Sequence, residues 1–440
     1  MSDLMKYSGY KWVGDIPVSW NTKRIKYIAT LKGRIGWQGL TSDEYQEEGA
    51  CLITGTDFVN GKINWDSCVH VPLKRWEEAS EIQIENGDLL ITKDGTVGKV
   101  AMVSEITEKT SLNSGVLRIM PKKEYDKKYL FWVLQSNVFW DWFNYKNAGN
   151  STILHLYQND FNEFIYAFPD LKEQQAIAKF LDKRCNQIDE IISDLENQLE
   201  KLNNYKKSII SECVTKGLDK KIEFKYSGIE WIGDIPHNWE VKKIKYCVSY
   251  LGSGSTPTSD NIDYYDNGNI NWIQSGDLYK KDVIEDTETK ITNIALRDIS
   301  ALHVLNAPYI VIAMYGASVG NTSISMIDAC SNQACCSIKT NSNSDLRYLY
   351  YWFLYAKDVL ISKSVGGGQP NISQQIIKNL ECLVPPIEEQ RNVARYIDVK
   401  LSIVNKIVKE KNIQLATIKT HKQSLIYEYV TGKKRVKVGE

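Results

Sequence analysis

Two sets of polar side chains punctuate the turns of this 440-residue chain. Lys32, Arg34, Gln38, Lys93, Asp94 and Asn113 lie in its first half. Ser253, Ser255, Thr256, Tyr315, Asn332, Gln333, Gln369 and Asn371 lie in its second. Their types suit hydrogen-bond readout better than bond making. An arginine fork matches the edge of guanine, an asparagine or glutamine amide matches the edge of adenine, and lysine or serine holds phosphate. Any one of them alone could equally be a turn residue bonded to its own backbone. As groups of loops they point to nucleic acid.

Residue sets for covalent chemistry do not assemble. An adenine methyltransferase needs an Asn/Asp-Pro-Pro-aromatic platform for the flipped base and a glycine-rich cofactor loop. The nearest stretches are VPPI at 384–387, which lacks both amide and aromatic, and GGGQP at 366–370, which does not lead from a strand into a helix. There is no G-x-x-x-x-G-K-[S/T] phosphate loop. His70, His155, His237, His303 and His421 are dispersed and read as ordinary loop or core residues. The nine cysteines form no C-x-x-C pair, so structural zinc is not expected, and scattered reduced thiols fit the cytoplasm. The opening residues do not read as a signal peptide, and no apolar run reaches the roughly 18 residues of a membrane span. The expectation is a cytoplasmic, non-catalytic chain with no cofactor or metal of its own.

Lys plus Arg and Asp plus Glu both total 54, so the formal net charge is zero. That balance argues against polyanion binding by the whole surface but leaves local basic runs, KRIK at 23–26 and KKIK at 242–245.

The elements that must position the loops come in duplicate. YSGYKWVGDIPVSW at 7–20 returns as YSGIEWIGDIPHNW at 226–239, an offset of 226 − 7 = 219 residues. CLITGTDF at 51–58 answers NWIQSGDLY at 271–279, aligning Asp57 with Asp277. In each half an apolar strand, a glycine turn and a second strand follow, then an Asn-containing loop and an aromatic segment, YLFWVLQSNVFWDWF or YLYYWFLYAKDVL. At helical spacing these aromatics read as core. Each half ends on PDLKEQQ (169–175) or PPIEEQR (385–391), helix-opening signals with Pro first and Glu in the first turn. A single apolar seam runs along each helix that follows: Ile188, Ile192, Leu195, Leu199, Leu202 and Ile209, and then Val404, Val408, Leu415, Ile418, Leu425 and Tyr429. Such a seam needs a partner, and the two seams suit each other.

The fold expected is therefore mixed α/β (α+β), a pseudo-two-fold internal repeat of two globular domains separated by two long antiparallel coiled-coil helices. The domains expected are residues 1–169 and 223–384, with helical arms at 170–222 and 385–440. A seam helix of about 45 Å would set two reading heads at roughly the spacing of successive major grooves. The dyad would turn each head to its own strand, so divergent loops imply a split, non-palindromic target. Retention of Trp12, Trp20, Trp231 and Trp239 in the entry segments points to packing against the arm ends.

The doubled entry segment and doubled Pro-x-Leu/Ile-x-Glu-Gln helix opening resemble the specificity subunits of type I restriction–modification systems, and the resemblance covers essentially the whole chain. It implies two target-recognition domains that read double-stranded DNA. It also implies two partner modification subunits, which carry S-adenosylmethionine and methylate adenine, and restriction subunits that use ATP. The loop AGNSTILHLYQND of the first half departs from GGGQPNISQQ of the second, which is nearer the family's usual form, so contacts implied there are weaker for the first half. The alternative reading is a protein-interaction scaffold or anti-restriction decoy of the same fold with little DNA readout.

Overall fold

The computed structural model describes residues 4–34, 40–148, 154–279, 281–316, 318–364 and 371–436. The chain forms two compact units, Met1–Glu196 with Ile413–Glu440, and Asn197–Asn412. The division falls inside the helical arms, so each unit holds one globular part together with a portion of each arm.

In the first unit an antiparallel sheet runs in the order Val100–Met102, Leu89–Thr92, Val116–Pro121, Ala29–Gly33. A three-stranded layer joins Thr110–Leu112 in parallel to Ala50–Ile53, with Val69–Val71 antiparallel on its far side. Ala50–Ile53 and Leu89–Thr92 are buried at every position, as their unbroken apolar runs require. Behind the main sheet sit the helices Lys127–Gln135 and Asn137–Lys146, capped by Asp126 and Ser136. Most of their aromatic side chains are core: Tyr129, Phe131, Trp132, Phe139, Trp142 and Phe143 are all buried.

The second unit repeats this plan. Its sheet runs Val248–Ser253, Cys335–Thr340, Tyr309–Ala313, Thr322–Ser325, Val283–Ile284, and its smaller layer runs Lys290–Ile291, Ile270–Ile273, Ala329–Ser331. The helix Leu346–Tyr355 supplies the buried aromatics, capped by Asp345.

The first arm is the helix Leu171–Lys216 and the second is Ile387–Val430. Within the first unit Lys422 pairs with Asp189 at 2.6 Å and Lys419 with Glu196 at 2.8 Å. Phe180 lies against Tyr429 with ring centroids 4.5 Å apart. Numbers fall on one helix as they rise on the other, so the arms run antiparallel there. In the second unit residues 209–214 share a core with Val393, Ala394, Ile397 and Val404. The seam residues named above are buried at Ile188, Leu195, Ile209 and Val404 and half-buried at the rest. The deepest arm positions lie elsewhere: Ile177, Leu181, Cys185, Val393 and Ile397 are fully buried, in cores that also hold residues of the opposite arm.

The entry segments close over arm ends. Trp20 and Trp239 are wholly buried. Gly432, at φ +71°, passes so close beneath the first that a Cβ there would come within 2.5 Å of Pro17 and 3.1 Å of Trp20. Gly217, at φ +70°, leaves 3.0 Å to Trp239 in the same way. Only glycine combines that backbone with that approach. Tyr129 Oη sits 2.9 Å from the carbonyl oxygens of both Ala167 and Val430, and Tyr348 donates to the Val214 carbonyl at 3.3 Å. Each phenol thus meets an otherwise orphaned carbonyl at an arm's C-terminal end. Burial raises both phenol pKa values well above the usual range, keeping the donors protonated.

The glutamine of the doubled helix-opening motif has an equally local task. Gln174 donates to the Pro169 carbonyl and accepts from the Asp126 amide, both at 2.9 Å. Gln390 donates to Pro385 and Asn343 carbonyls at 2.8 and 3.1 Å and accepts from the Asp345 amide at 2.8 Å. Each amide ties the start of an arm to the cap of an aromatic helix. The motif survives in both halves because it joins arm to domain.

Candidate nucleic-acid interface

One end of each main sheet carries a cluster of turns hung on the same main-chain hydrogen bonds. In the first unit the Lys93 amide donates to the Gly115 carbonyl at 2.8 Å, and the Lys93 carbonyl accepts from the Leu156 amide at 2.9 Å. The Asn113 amide donates to Ile53 at 2.9 Å. In the second unit Met314 donates to Ala334 and accepts from Ile372, both at 2.7 Å, and Asn332 donates to Ile273 at 2.9 Å. Three strand ends therefore deliver three turns to one surface in both halves, although the turns differ in length and composition.

The aligned aspartates hold the first of these turns from beneath. Asp57 is fully buried, accepting from the Thr54 amide at 2.7 Å and from Ser67 Oγ at 2.8 Å. Asp277 accepts from the Gln274 amide at 2.8 Å. A carboxylate that takes backbone N–H bonds in this way fixes Thr54 to Thr56, or Ser275 and Gly276, at the surface. Thr96 Oγ1 then ties the second turn to the first by donating to the Gly55 carbonyl at 2.8 Å.

Asn113 and Asn332 are both turn formers. Asn113 Oδ1 accepts from the Gly115 amide at 3.2 Å, and its Nδ2 donates to the Tyr45 hydroxyl at 3.3 Å. Asn332 Oδ1 accepts from the Ala334 amide at 3.0 Å. The exposed tip position next in sequence is Ser114 in one half and Gln333 in the other. Lys93 and Asp94 are half-buried on the neighbouring turn, with Asp94 paired to His155 Nδ1. Lys32 stands at a strand end in an ion pair with Glu81 at 2.9 Å.

In the second unit Ser253 Oγ accepts from Gln374 Nε2 at 2.8 Å, and the Ser255 carbonyl accepts from Trp272 Nε1 at 3.2 Å. Thr256 is exposed. Tyr315 and Asn371 form an isolated β-bridge that sets both on the loop surface. Gln38 and Gln369 lie outside the described residues.

Arg34 is a correction. It is only 6% exposed, and its guanidinium donates to the Leu112 carbonyl at 2.8 Å and Ser111 Oγ at 3.1 Å. Burial is the largest influence lowering its pKa. A guanidinium spent on the underside of the strand Thr110–Leu112 supports the loops and offers no fork to a base. Arg34→Met is expected to cost about 1–3 kcal/mol of stability, because buried acceptors are left unpaired. Urea unfolding checks this.

Sequence reasoning missed His155 and Tyr157. His155 faces Asp94, and its ring lies 4.2 Å from that of Tyr157, which is exposed. The signal was available: the offset between the two helix-opening motifs, carried back along the chain, sets residues 154–157 opposite 370–373. Leu156 and Ile372 hold matching bonds, so the two unlike loops are equivalent after all.

A cavity of about 850 Å³ in the second unit lies against the arm and the aromatic helix, lined by Lys206, Ile210, Arg347, Tyr351 and Tyr355 among others. None of the loop residues above lines it. Among the described residues no His, Cys, Asp or Glu group could hold a metal ion, and no helix is long and apolar enough to cross a membrane.

The family model for the type I restriction modification DNA specificity domain matches residues 17–201 and again residues 236–417. The chain is 26% identical over 444 residues to the putative type I restriction enzyme MjaX specificity subunit of Methanocaldococcus jannaschii, covering 97% of this chain and 96% of that one. It is 22% identical over 439 residues to the StySPI specificity subunit of Salmonella potsdam, covering 95% and 90% respectively. A solved chain, from a structural study of complex assembly and conformational transition in the type I restriction–modification system, shares the fold. It superposes with a TM-score of 0.70 at 15% identity, over 95% of this chain and 99% of that one. With one match per half, on halves that repeat each other's sheet, loop frame and arm, the chain belongs to the type I restriction–modification DNA specificity family.

Proposed function

We propose that this chain is the non-catalytic DNA-specificity subunit of a cytoplasmic type I restriction–modification complex. It reads a bipartite, asymmetric duplex target and positions adenine methyltransferase subunits on it. The observation that carries this reading is the repeated loop frame: identical main-chain bonds present Asp94, Ser114 and His155 in one half and Tyr315, Gln333 and Asn371 in the other. One scaffold bearing two different side-chain sets is what two unlike half-sites require. The reading divides the chain into target-recognition domains at 1–169 and 223–384 and spacer arms at 170–222 and 385–440. Two modification subunits bring S-adenosylmethionine, and restriction subunits bring the ATP-dependent activity; this chain supplies neither cofactor.

Adenine-methylation mapping of genomic DNA, from cells with and without this gene, tests the reading. One split, non-palindromic motif is expected to be methylated only when the gene is present. Methylation that is unchanged by deletion, or confined to a palindrome, would overturn it.

A further inference from the structure

At one place in the core the two halves keep the backbone and change the chemistry. The strand Asn21–Arg24 pairs with Ile165–Phe168, and the second half repeats this as Glu240–Lys243 with Glu381–Val384. Through these strands the chain enters and leaves the globular part. At this neck the first half places Ile28, whose carbonyl accepts from the Lys122 amide at 2.8 Å, and Tyr166, which sits opposite Lys23. The equivalent positions in the second half are Cys247, whose carbonyl accepts from the Asn341 amide at 3.2 Å, and Cys382, opposite Lys242. All four side chains are buried. Where the first half has an aliphatic and an aromatic group, the second has two thiols, hydrogen-bonded with their sulfurs 3.4 Å apart.

The two sulfurs are unlike. The hydrogen bond from Cys382 is the largest influence lowering the Cys247 pKa, and the Ser344 hydroxyl and Lys242 ammonium act with it against burial. Cys382 is driven the other way, first by its bond to Cys247 and then by burial. Thiolate character, which governs attack on an oxidant, therefore collects on Cys247. Cys213 and Cys330 lack such help, and burial above all pushes both up to about 11. The cover over Cys247 is a single turn, Asn341–Ser344, whose two central residues are exposed. Besides the Asn341 amide, that turn is held by Asn341 Nδ2, which donates to the Tyr246 carbonyl at 2.8 Å. A disulfide sets its sulfurs about 2.0 Å apart, so these two need approach by only about 1.4 Å.

We propose that Cys247 and Cys382 form a reversible disulfide clasp at the neck of the second unit, closed by hydrogen peroxide and opened by dithiols. The Cys247 thiolate attacks one peroxide oxygen when the turn above it opens. The O–O bond breaks, Cys247 becomes a sulfenic acid, and the departing hydroxide takes up the proton that Cys247 had released. Cys382 then attacks the sulfenic sulfur: the S–S bond forms, the S–O bond breaks, and the Cys382 proton leaves with the hydroxyl as water. Two thiols lose two electrons and two protons, and one peroxide becomes two waters. A dithiol reverses the step by exchange. The clasp closes a loop of 135 residues and so restricts the unfolded chain of the second unit. The first half, with Ile28 and Tyr166, has no counterpart. Cys247 precedes the sheet end where Val248 pairs with Thr340, whereas the loop cluster lies at the end where Ser253 pairs with Cys336. The clasp therefore changes endurance and leaves the loops alone, and it stands independently of the function proposed above.

Treatment of the fully reduced, full-length chain with hydrogen peroxide, followed by denaturation, alkylation and mass spectrometry, tests this. The oxidised chain is expected to lose two hydrogens, to protect two of its nine thiols, and to yield one cross-linked peptide joining Cys247 to Cys382. Dithiothreitol is expected to restore all nine. Closure is expected to raise the urea midpoint of the second unit by about 1 M. Cys382→Ser is expected to leave Cys247 as a sulfenic acid that dimedone traps, whereas Cys247→Ser is expected to give no adduct at Cys382. Nine free thiols after peroxide, a disulfide joining other cysteines instead, or an unmoved urea midpoint with the clasp closed would each overturn the proposal. The mass and urea measurements use the wild-type chain, so they decide the matter even where a serine variant fails to fold.

Discussion

Replacing Trp239 by alanine is expected to destabilise the second unit by about 3–5 kcal/mol, the range for emptying a buried aromatic site. Trp239 has no exposed surface and meets Tyr348 edge-on with ring centroids 6.5 Å apart. It also packs against Gly217, where the first arm ends. Loss of the indole removes the wall against which the Val214–Gly217 turn closes, and Tyr348 loses support for its bond to Val214. Among the described residues neither Trp239 nor Trp20 has a partner for its buried indole N–H. What the site uses is volume, so Trp239→Phe is expected to recover much of the loss. Urea unfolding followed by circular dichroism checks the order Trp239→Ala below Trp239→Phe below wild type. The exposed Tyr246→Ala serves as the control and is expected to lie within about 0.5 kcal/mol of wild type.

That role was legible in the sequence for Trp20 and Trp239, because residues kept alike in two otherwise diverged halves had to serve something the halves share; Trp12 and Trp231 are corrections, lying instead against Tyr145 and against Trp352 and Tyr355 of the aromatic helical segments. The antiparallel arms were legible for a similar reason: two single seams in one chain need each other, and the Lys422–Asp189 and Lys419–Glu196 pairs now fix their direction. The fate of individual loop residues was not legible. Arg34 follows a strand in which inside and outside alternate, and whether a long side chain at its end turns under the sheet depends on acceptors nearly 80 residues away, the Leu112 carbonyl and the Ser111 hydroxyl. Asn113 and Asn332 looked like base readers, yet they bond their own turns. A short amide side chain satisfies a neighbouring N–H more cheaply than it reaches outward. His155 escaped notice because its loop matches its counterpart in backbone position and not in letters.

Exchanging the first reading region for that of another family member is expected to rewrite one half of the methylated motif and leave the other half and the spacer unchanged. The structure dictates where to cut. An exchange of residues 1–169 would remove Pro17 and Trp20 from Gly432, and Tyr129 from the end of the second arm. It would then confound misfolding with altered reading. Cutting at 28 and 163 keeps the anchor, because Asn21–Arg24 pairs with Ile165–Phe168 and stays native on both sides of the graft. The incoming sheet then needs only to resupply the aromatic helices and the tyrosine that meets the Val430 carbonyl. Each wrong base pair costs about 1–3 kcal/mol, so two altered bases weaken the old target roughly 30-fold to 10⁴-fold. Methylation at the old motif should therefore disappear. On the proposed reading the second half-site belongs to the turns hung on Met314 and Asn332, whose bonds lie wholly within the second unit, so it should not change. Methylome sequencing reads all three quantities at once. A motif altered on both sides, or a changed spacer, would mean that the halves do not read independently, and the repeated frame would then be a relic of duplication rather than a pair of reading heads.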